Sequence, residues 1–215
     1  MRLFALLAAL SLAVAACAQS PAPSTVVKKP SASVNPARID RVRTALPSGY
    51  EVAALSGRPA AVAFWGLGPD WTADPQRCGA LADPVPGAAA VRGWSASGAG
   101  GIVYVVVAES ALTLDPSLID ECGQWTVSAG HTGGTVAFVA APAIDGAATV
   151  GVAASTTTVV EGGTETHSHA DTFTAYLGDY VAFVTVVGDP GSPNPQLGQE
   201  FASDLLVKTV TALRG

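Results

Sequence analysis

The chain has 215 residues, with 11 Lys and Arg against 17 Asp and Glu and a formal net charge of -6, so it lacks the basic balance that a nucleic-acid partner demands. Charged residues are only 13% and hydrophobic residues 49% of the total, which excludes a wholly disordered chain. The length suits one core, and the prominence of Ala, Gly, Val and Thr favours β-structure built from short side chains.

Met1 to Ala16 reads as a targeting segment. Arg2 supplies a positive charge, Leu3 to Val14 is almost wholly apolar, and Ala15 and Ala16 are the small residues of a cleavage site. The apolar run is too short for the roughly 20 residues that a spanning helix needs. Val14-Ala15-Ala16-Cys17 resembles the lipobox of bacterial lipoproteins. That resemblance implies a signal peptide over 1–16, acylation of Cys17 (a palmitate-type chain) and anchorage at the outer face of the cell membrane. An ordinary secretory peptide with a chance cysteine is the competing reading. With Cys17 assigned to the lipid, the other two of the three cysteines, Cys78 and Cys122, are left as a pair. In an oxidising space they are expected to form a disulfide. Closing a loop of about 45 residues contributes about 4 kcal/mol in the chain-entropy picture. The alternative is a catalytic thiol, although neither residue sits in a CxxC spacing.

Residues 17–36 carry Pro21, Pro23, Pro30 and Pro36 among Ser, Ala and Thr and read as an extended tether. A single domain then spans 37–215. Asn35-Pro36 opens a helix with apolar positions Ile39, Val42, Ala45 and Leu46. Tyr50 to Leu55 and Pro59 to Trp65 read as two short strands, and Gly66 to Trp71 as a loop. Asp74-Pro75 and Asp115-Pro116 each read as an N-cap with proline at N1, opening short helices that carry Cys78 and Cys122. Between them, Ile102 to Ala108 is an unbroken apolar run that suits a central strand buried on both faces. From Trp125 onward, glycine-bearing turns at 130–134, 145–146, 161–164 and 177–179 separate strand-like runs and predict an antiparallel meander. Leu197, Phe201, Leu205, Leu206, Val210 and Leu213 mark a C-terminal amphipathic helix lying on the sheet. The fold class expected is therefore α+β: a twisted, mostly antiparallel sheet with short helices, a packed C-terminal helix and one disulfide.

Trp71-Thr72-Ala73-Asp74-Pro75-Gln76-Arg77-Cys78, the later Cys122, and Gly93-Trp94-Ser95-Ala96-Ser97-Gly98 leading into Ile102 to Val107 carry a further similarity. Over roughly Ile39 to Gly215 the chain resembles actinobacterial, especially mycobacterial, lipoproteins of unassigned function that are similar to the extracytoplasmic sensor domain of the kinase PknH. The resemblance implies an α+β sheet domain with a cleft and a binding or sensing role. Sensor domains of that type are expected to hold two disulfides, whereas this chain has cysteines for one.

Glu165, His167, His169 and Asp171 alternate along one stretch, so in a strand they share a face. Two imidazoles and two carboxylates at that spacing suit a divalent metal or a pH-sensitive patch; the competing reading is a solvated outer face. No other cofactor is expected. Trp65, Trp71 and Trp94 fall within thirty residues of one another and, with Trp125, are candidates to line a cleft for a small molecule, lipid, glycan or peptide, with plain core packing as the alternative. Gly93-Trp94-Ser95-Ala96-Ser97 comes near a nucleophile elbow but lacks its last glycine and a following helix. His131 reads as a turn residue, and Gly98 to Gly101 as a flexible loop without the lysine of a phosphate loop. The sum is a non-catalytic, lipid-anchored binding or sensor-like protein of the cell envelope. A structural or protein-interaction lipoprotein, with an envelope protein as partner, and a metal-binding protein are the alternatives.

Overall fold

Runs of alternating side chains separated by turn residues should pair with their sequence neighbours, and most of this chain does. The structure is a computed structural model and describes residues 33–57, 59–88, 90–188 and 191–215. The expected signal peptide, Cys17 and most of the expected tether lie outside them. Nine strands form one sheet: β1 (Glu51–Ala54), β2 (Thr72–Asp74), β3 (Val91–Gly98), β4 (Gly101–Glu109), β5 (Gln124–Ala129), β6 (Thr132–Val139), β7 (Ala148–Val159), β8 (Glu165–Tyr176) and β9 (Tyr180–Gly188). Their order is β1-β3-β4-β9-β8-β7-β6-β5-β2, and neighbouring strands run antiparallel. The expected meander is β5 to β9. Its last strand closes on β4, which becomes central, with Val103, Val105, Val106 and Val107 all buried.

Helices are few and short: a 3-10 helix at Pro36–Ala45, α1 (Ala61–Phe64), a 3-10 turn at Gln76–Cys78, α2 (Gly79–Ala82), α3 (Ser117–Glu121) and the longer α4 (Gln199–Arg214). The topology sorts them by sheet face. The 3-10 helix Pro36–Ala45 and α4, one from each end of the domain, pack on the face bearing Trp94, Val103, Val105, Val107, Phe173 and Val184. On α4 the buried positions Ala202, Leu205, Leu206, Thr209, Val210 and Leu213 follow the three-then-four spacing of a single helical stripe. Each fully buried leucine contributes about 1.5–3 kcal/mol. The 3-10 helix is long for its type, and its sequence explains why. Pro36, Ile39, Val42 and Ala45 recur every third residue, which aligns them at three residues per turn. Asn35 caps it, its side chain accepting from the Ala37 N–H at 3.0 Å.

On the opposite face lie the three crossovers that carry the chain between sheet edges: β1 to β2 through α1, β2 to β3 through α2, and β4 to β5 through α3. They bury Val62, Trp65, Leu67, Leu81, Val85 and Leu118 against Val106, Trp125, Val152 and Phe183. The disulfide Cys78–Cys122 joins the second crossover to the third. Arg77 repeats that link at the surface, pairing with Asp115 and Glu121 and donating to the Ser117 hydroxyl.

Three local expectations are corrected. Pro59 to Trp65 is not a strand: residues 61–64 are helical, because a short apolar run has no period to choose between the two states and here the choice is made by burying Ala61, Val62 and Trp65. Asp74 does not cap a helix but ends β2, and Pro75 occupies the cap position. The glycines at 98–101 form the tight turn between β3 and β4, where a side chain at Gly98 would strike the Tyr50 ring. Tyr50 also accepts the Gly100 N–H at 3.1 Å.

Candidate functional site

The three candidate tryptophans do not line one cleft. Trp65 and Trp94 are 1% and 0% exposed and belong to the cores on opposite faces of the sheet. Each spends its indole N–H internally. Trp65 donates to the Thr172 hydroxyl at 3.0 Å, inside a buried set in which Thr172 meets Thr185 at 2.8 Å and Thr156 donates to the Trp65 carbonyl at 3.0 Å. Trp94 donates to the Ile39 carbonyl at 3.2 Å. Trp125 is also buried, edge-on to Phe138. The expected cleft of Trp65, Trp71 and Trp94 is corrected accordingly: large indoles facing a sheet are consumed by the cores.

Trp71 is different. It is half-buried at the end of the first crossover, just before β2, and lines a concavity of about 590 Å³ with Thr72, Gln76, Gly79, Asp83 and Pro86. Gly79 makes this possible. Its backbone is helical, so the glycine is needed for space and not for turning: a Cβ there would lie 3.1 Å from Cη2 of the Trp71 ring. Asp83 is half-buried. Desolvation pushes its carboxyl above the ordinary range, and a hydrogen bond from the Val85 backbone partly opposes the rise. A second concavity of about 290 Å³ adjoins the first at Ala80, Asp83 and Pro86 and is lined further by Arg77, Leu114, Leu118 and Tyr176. Burial pushes the Tyr176 phenol up to about 12. The Trp71 concavity thus lies between β2 and the second crossover, and the adjoining one between the second and third crossovers, which the disulfide joins. Of the lining residues, only Trp71 is a candidate ligand contact from the sequence; Thr72, Ala73, Gln76 and Arg77 enter there within the motif that carries the resemblance. No local pattern in the sequence marks Asp83 or Tyr176 as part of a site.

Glu165, His167, His169 and Asp171 do share one face of β8, but they form two pairs and not one cluster. His167 lies 3.9 Å from Glu165, and His169 lies 3.4 Å from Asp171. Their other ring nitrogens meet hydroxyls on β7, His167 with Thr157 at 3.0 Å and His169 with Ser155 at 3.3 Å. Strand spacing keeps the imidazoles apart. Among the described residues no group of three or more His, Cys, Asp or Glu is placed to hold a metal ion. The parity expected along the strand continues inward: Asp171 is buried and Phe173 fully so. Desolvation raises the Asp171 carboxyl while the nearby His169 opposes that rise. A shallow, open hollow of about 430 Å³ lies over these histidines, Thr135, Ser155 and Thr157.

The near-elbow Gly93 to Ser97 lies within β3, with Ser95 paired to Tyr104. There is no sharp strand-to-helix turn to present a serine nucleophile. His131 sits exposed in the turn between β5 and β6.

Two solved structures are similar to this chain. An uncharacterized protein (Rv0999 ortholog) from Mycobacterium smegmatis is 21% identical, with a TM-score of 0.63 over 85% of this chain and 98% of that one, which shows a common fold. The extracellular domain of PknH from Mycobacterium tuberculosis is 13% identical, with a TM-score of 0.45 over 83% of this chain and 92% of that one, too low to carry an argument. A mycobacterial protein of unassigned function and the PknH domain, the directions in which the residue pattern pointed, are thus among the matches. No curated protein matches the chain. A family described as Domain of unknown function (DUF5642) matches residues 35–214, which is the folded part from its first cap to the end of α4, and the chain belongs to that family.

Proposed function

We propose that this protein is an extracytoplasmic, sensor-like binding module of the bacterial cell envelope, tethered to the membrane by a lipid on Cys17, that takes its ligand in the Trp71 groove and performs no reaction. The observation that carries the reading is the groove itself: one half-buried indole, a half-buried carboxyl and the Gln76 amide line a concavity between β2 and the second crossover, which a disulfide ties to the third. Small-ligand sites have volumes of this order, about 300–1,000 Å³, and mix aromatic surface with a few placed polar groups. A persistent disulfide accords with an oxidising compartment outside the cytoplasm. The non-catalytic reading is supported by the strand conformation of the one serine motif and by the separation of the histidine–acid pairs.

Two measurements test it. Full-length protein is expected in the membrane fraction, and Cys17→Ala protein in the soluble extracytoplasmic fraction; equal partition of both would sink the lipid anchor. A panel of oligosaccharides, fatty acids and short peptides is expected to contain a member that raises the melting temperature of the wild type and not of Trp71→Ala. If no member does so, the alternative of a protein-interaction lipoprotein gains. That alternative has its own observation, the exposed Leu112 and Ile119 on the third crossover.

A further inference from the structure

We infer that the Trp71 pocket takes an uncharged saccharide, an inference that rests on the reading of this groove as the ligand site. The composition of the lining selects the class. Its one aromatic surface is the Trp71 ring, set beside Gly79 where a Cβ would lie 3.1 Å from the ring, and an indole offers a flat apolar platform with a polar edge. Sugar rings have the matching character: an apolar face of C–H groups and a rim of hydroxyls that both donate and accept. Beside the platform stand the Gln76 amide and the Asp83 carboxyl, which together supply donors and acceptors suited to such a rim, while the Thr72 hydroxyl is engaged by Ser128 at 3.1 Å.

The competing classes fit less well. A lipid chain needs long apolar walls, and besides Trp71 the apolar side chains lining this pocket are Ala73, Ala80 and Pro86. An anionic ligand needs a cation. Among the described residues none lines this pocket: Arg77 faces the adjoining concavity, where Asp115, Glu121 and Ser117 engage it. A quaternary ammonium ligand is best held by several aromatic faces, and here there is one ring, while the desolvation around Asp83 disfavours its ionised form.

Trp65, Trp94 and Trp125 are at most 2% exposed, so iodide reaches Trp71 alone of the four tryptophans, and quenching of its fluorescence reads this site directly. The experiment uses the full mature chain with Cys17→Ser, which needs no detergent. The probes are trisaccharides of glucose, mannose and N-acetylglucosamine, tetramethylammonium chloride and dodecanoate. At least one trisaccharide is expected to shield the fluorescence saturably. Calorimetry with that trisaccharide should then show affinity falling roughly tenfold or more in Trp71→Ala. Gly79→Ala, whose new methyl displaces the ring, should weaken binding at an unchanged melting temperature. Asp83→Asn should retain binding, because an amide still serves a hydroxyl, whereas a cation site would lose it. Shielding by tetramethylammonium or dodecanoate and by no trisaccharide would overturn the saccharide class while leaving the groove as a binding site. Shielding by no probe at all would overturn both.

Discussion

The two faces of the sheet are covered in different ways, and the contrast shows what holds the segments that wall the Trp71 groove. One face lies under α4 and the 3-10 helix Pro36–Ala45, the two ends of the domain, which touch each other and are tied by the Asn35 N–H to the Leu213 carbonyl at 2.9 Å. A 16-residue helix with one apolar stripe covers its half-face mainly by packing, with Arg214 also donating to the Asp145 and Gly146 carbonyls. The other face is crossed three times by segments whose helices are only three to five residues long. Pieces so short have little helical stability of their own. They are held by specific links: the Cys78–Cys122 disulfide, the Arg77 pairs, and the Trp65–Thr172–Thr185 hydrogen bonds. Short linked segments leave gaps between them, and the Trp71 groove is such a gap; on the other face a concavity of about 590 Å³ lies beside the C-terminal half of α4, lined by Ile144, Asp145, Val207, Val210 and Arg214.

Four perturbations test this contrast. The largest effect is expected from Leu206→Ala on α4, at about 2–5 kcal/mol, seen as a cooperative loss of stability in urea unfolding. Substituting both Cys78 and Cys122 by serine should follow at about 2–4 kcal/mol. Hydrogen exchange should then rise first in residues 76–82 and 117–121, with α4 still protected. Equal loss of protection on both faces would contradict the division of labour drawn here.

A pair of tryptophan substitutions sharpens the point within one core. Trp65→Phe removes a used donor and should cost about 1–3 kcal/mol, since it breaks a buried hydrogen-bonded set. The Trp125 indole nitrogen is the buried side-chain polar atom without a hydrogen-bond partner among the described residues. Trp125→Phe therefore gives up volume but no hydrogen bond and should cost measurably less by thermal melts. Equal costs would show that volume, and not bonding, decides.

The smallest effect is in pH dependence. Asp83 and Asp171 have carboxyls raised by desolvation, so the folded state holds their protons more tightly than the unfolded state does. Their contribution is unfavourable above the raised folded values and vanishes below the ordinary carboxylate value. Stability should thus rise slightly as pH falls through that interval, and Asp83→Asn with Asp171→Asn should flatten the rise. Asp115 acts in the opposite sense. Its carboxyl is lowered chiefly by hydrogen bonds from Ser117, with Arg77 assisting, so its favourable contribution is present at neutral pH and is lost as pH falls through the lowered folded value. Replacing Asp115 by Asn should remove that acid-side decline in melts taken across pH.

Much of the architecture was legible because it is local. The meander from Trp125 onward follows from glycine turns between β-prone runs, the buried centre of β4 from its unbroken valines, and α4 from a helical stripe. The disulfide was legible by counting, once Cys17 had been set aside. What escaped was decided across the sheet. Residues 91–98 alternate glycine and serine with Trp94 and Ala96, a weak strand signal that pairing with β4 and β1 turns into β3. The strand expected at 59–65 became α1 because burial against the sheet outweighed an indifferent local preference.

The sequence by itself determined the class of fold, the cysteine pair and the alternation that puts Glu165, His167, His169 and Asp171 on one face of β8, because each depends on spacing along the chain. Only the tertiary structure decided which tryptophans are spent in the cores, that the histidines stay in separate pairs, and that Trp71, Gln76 and Asp83 share a pocket. These depend on which side of the sheet each crossover takes, and no period within the crossovers encodes that choice.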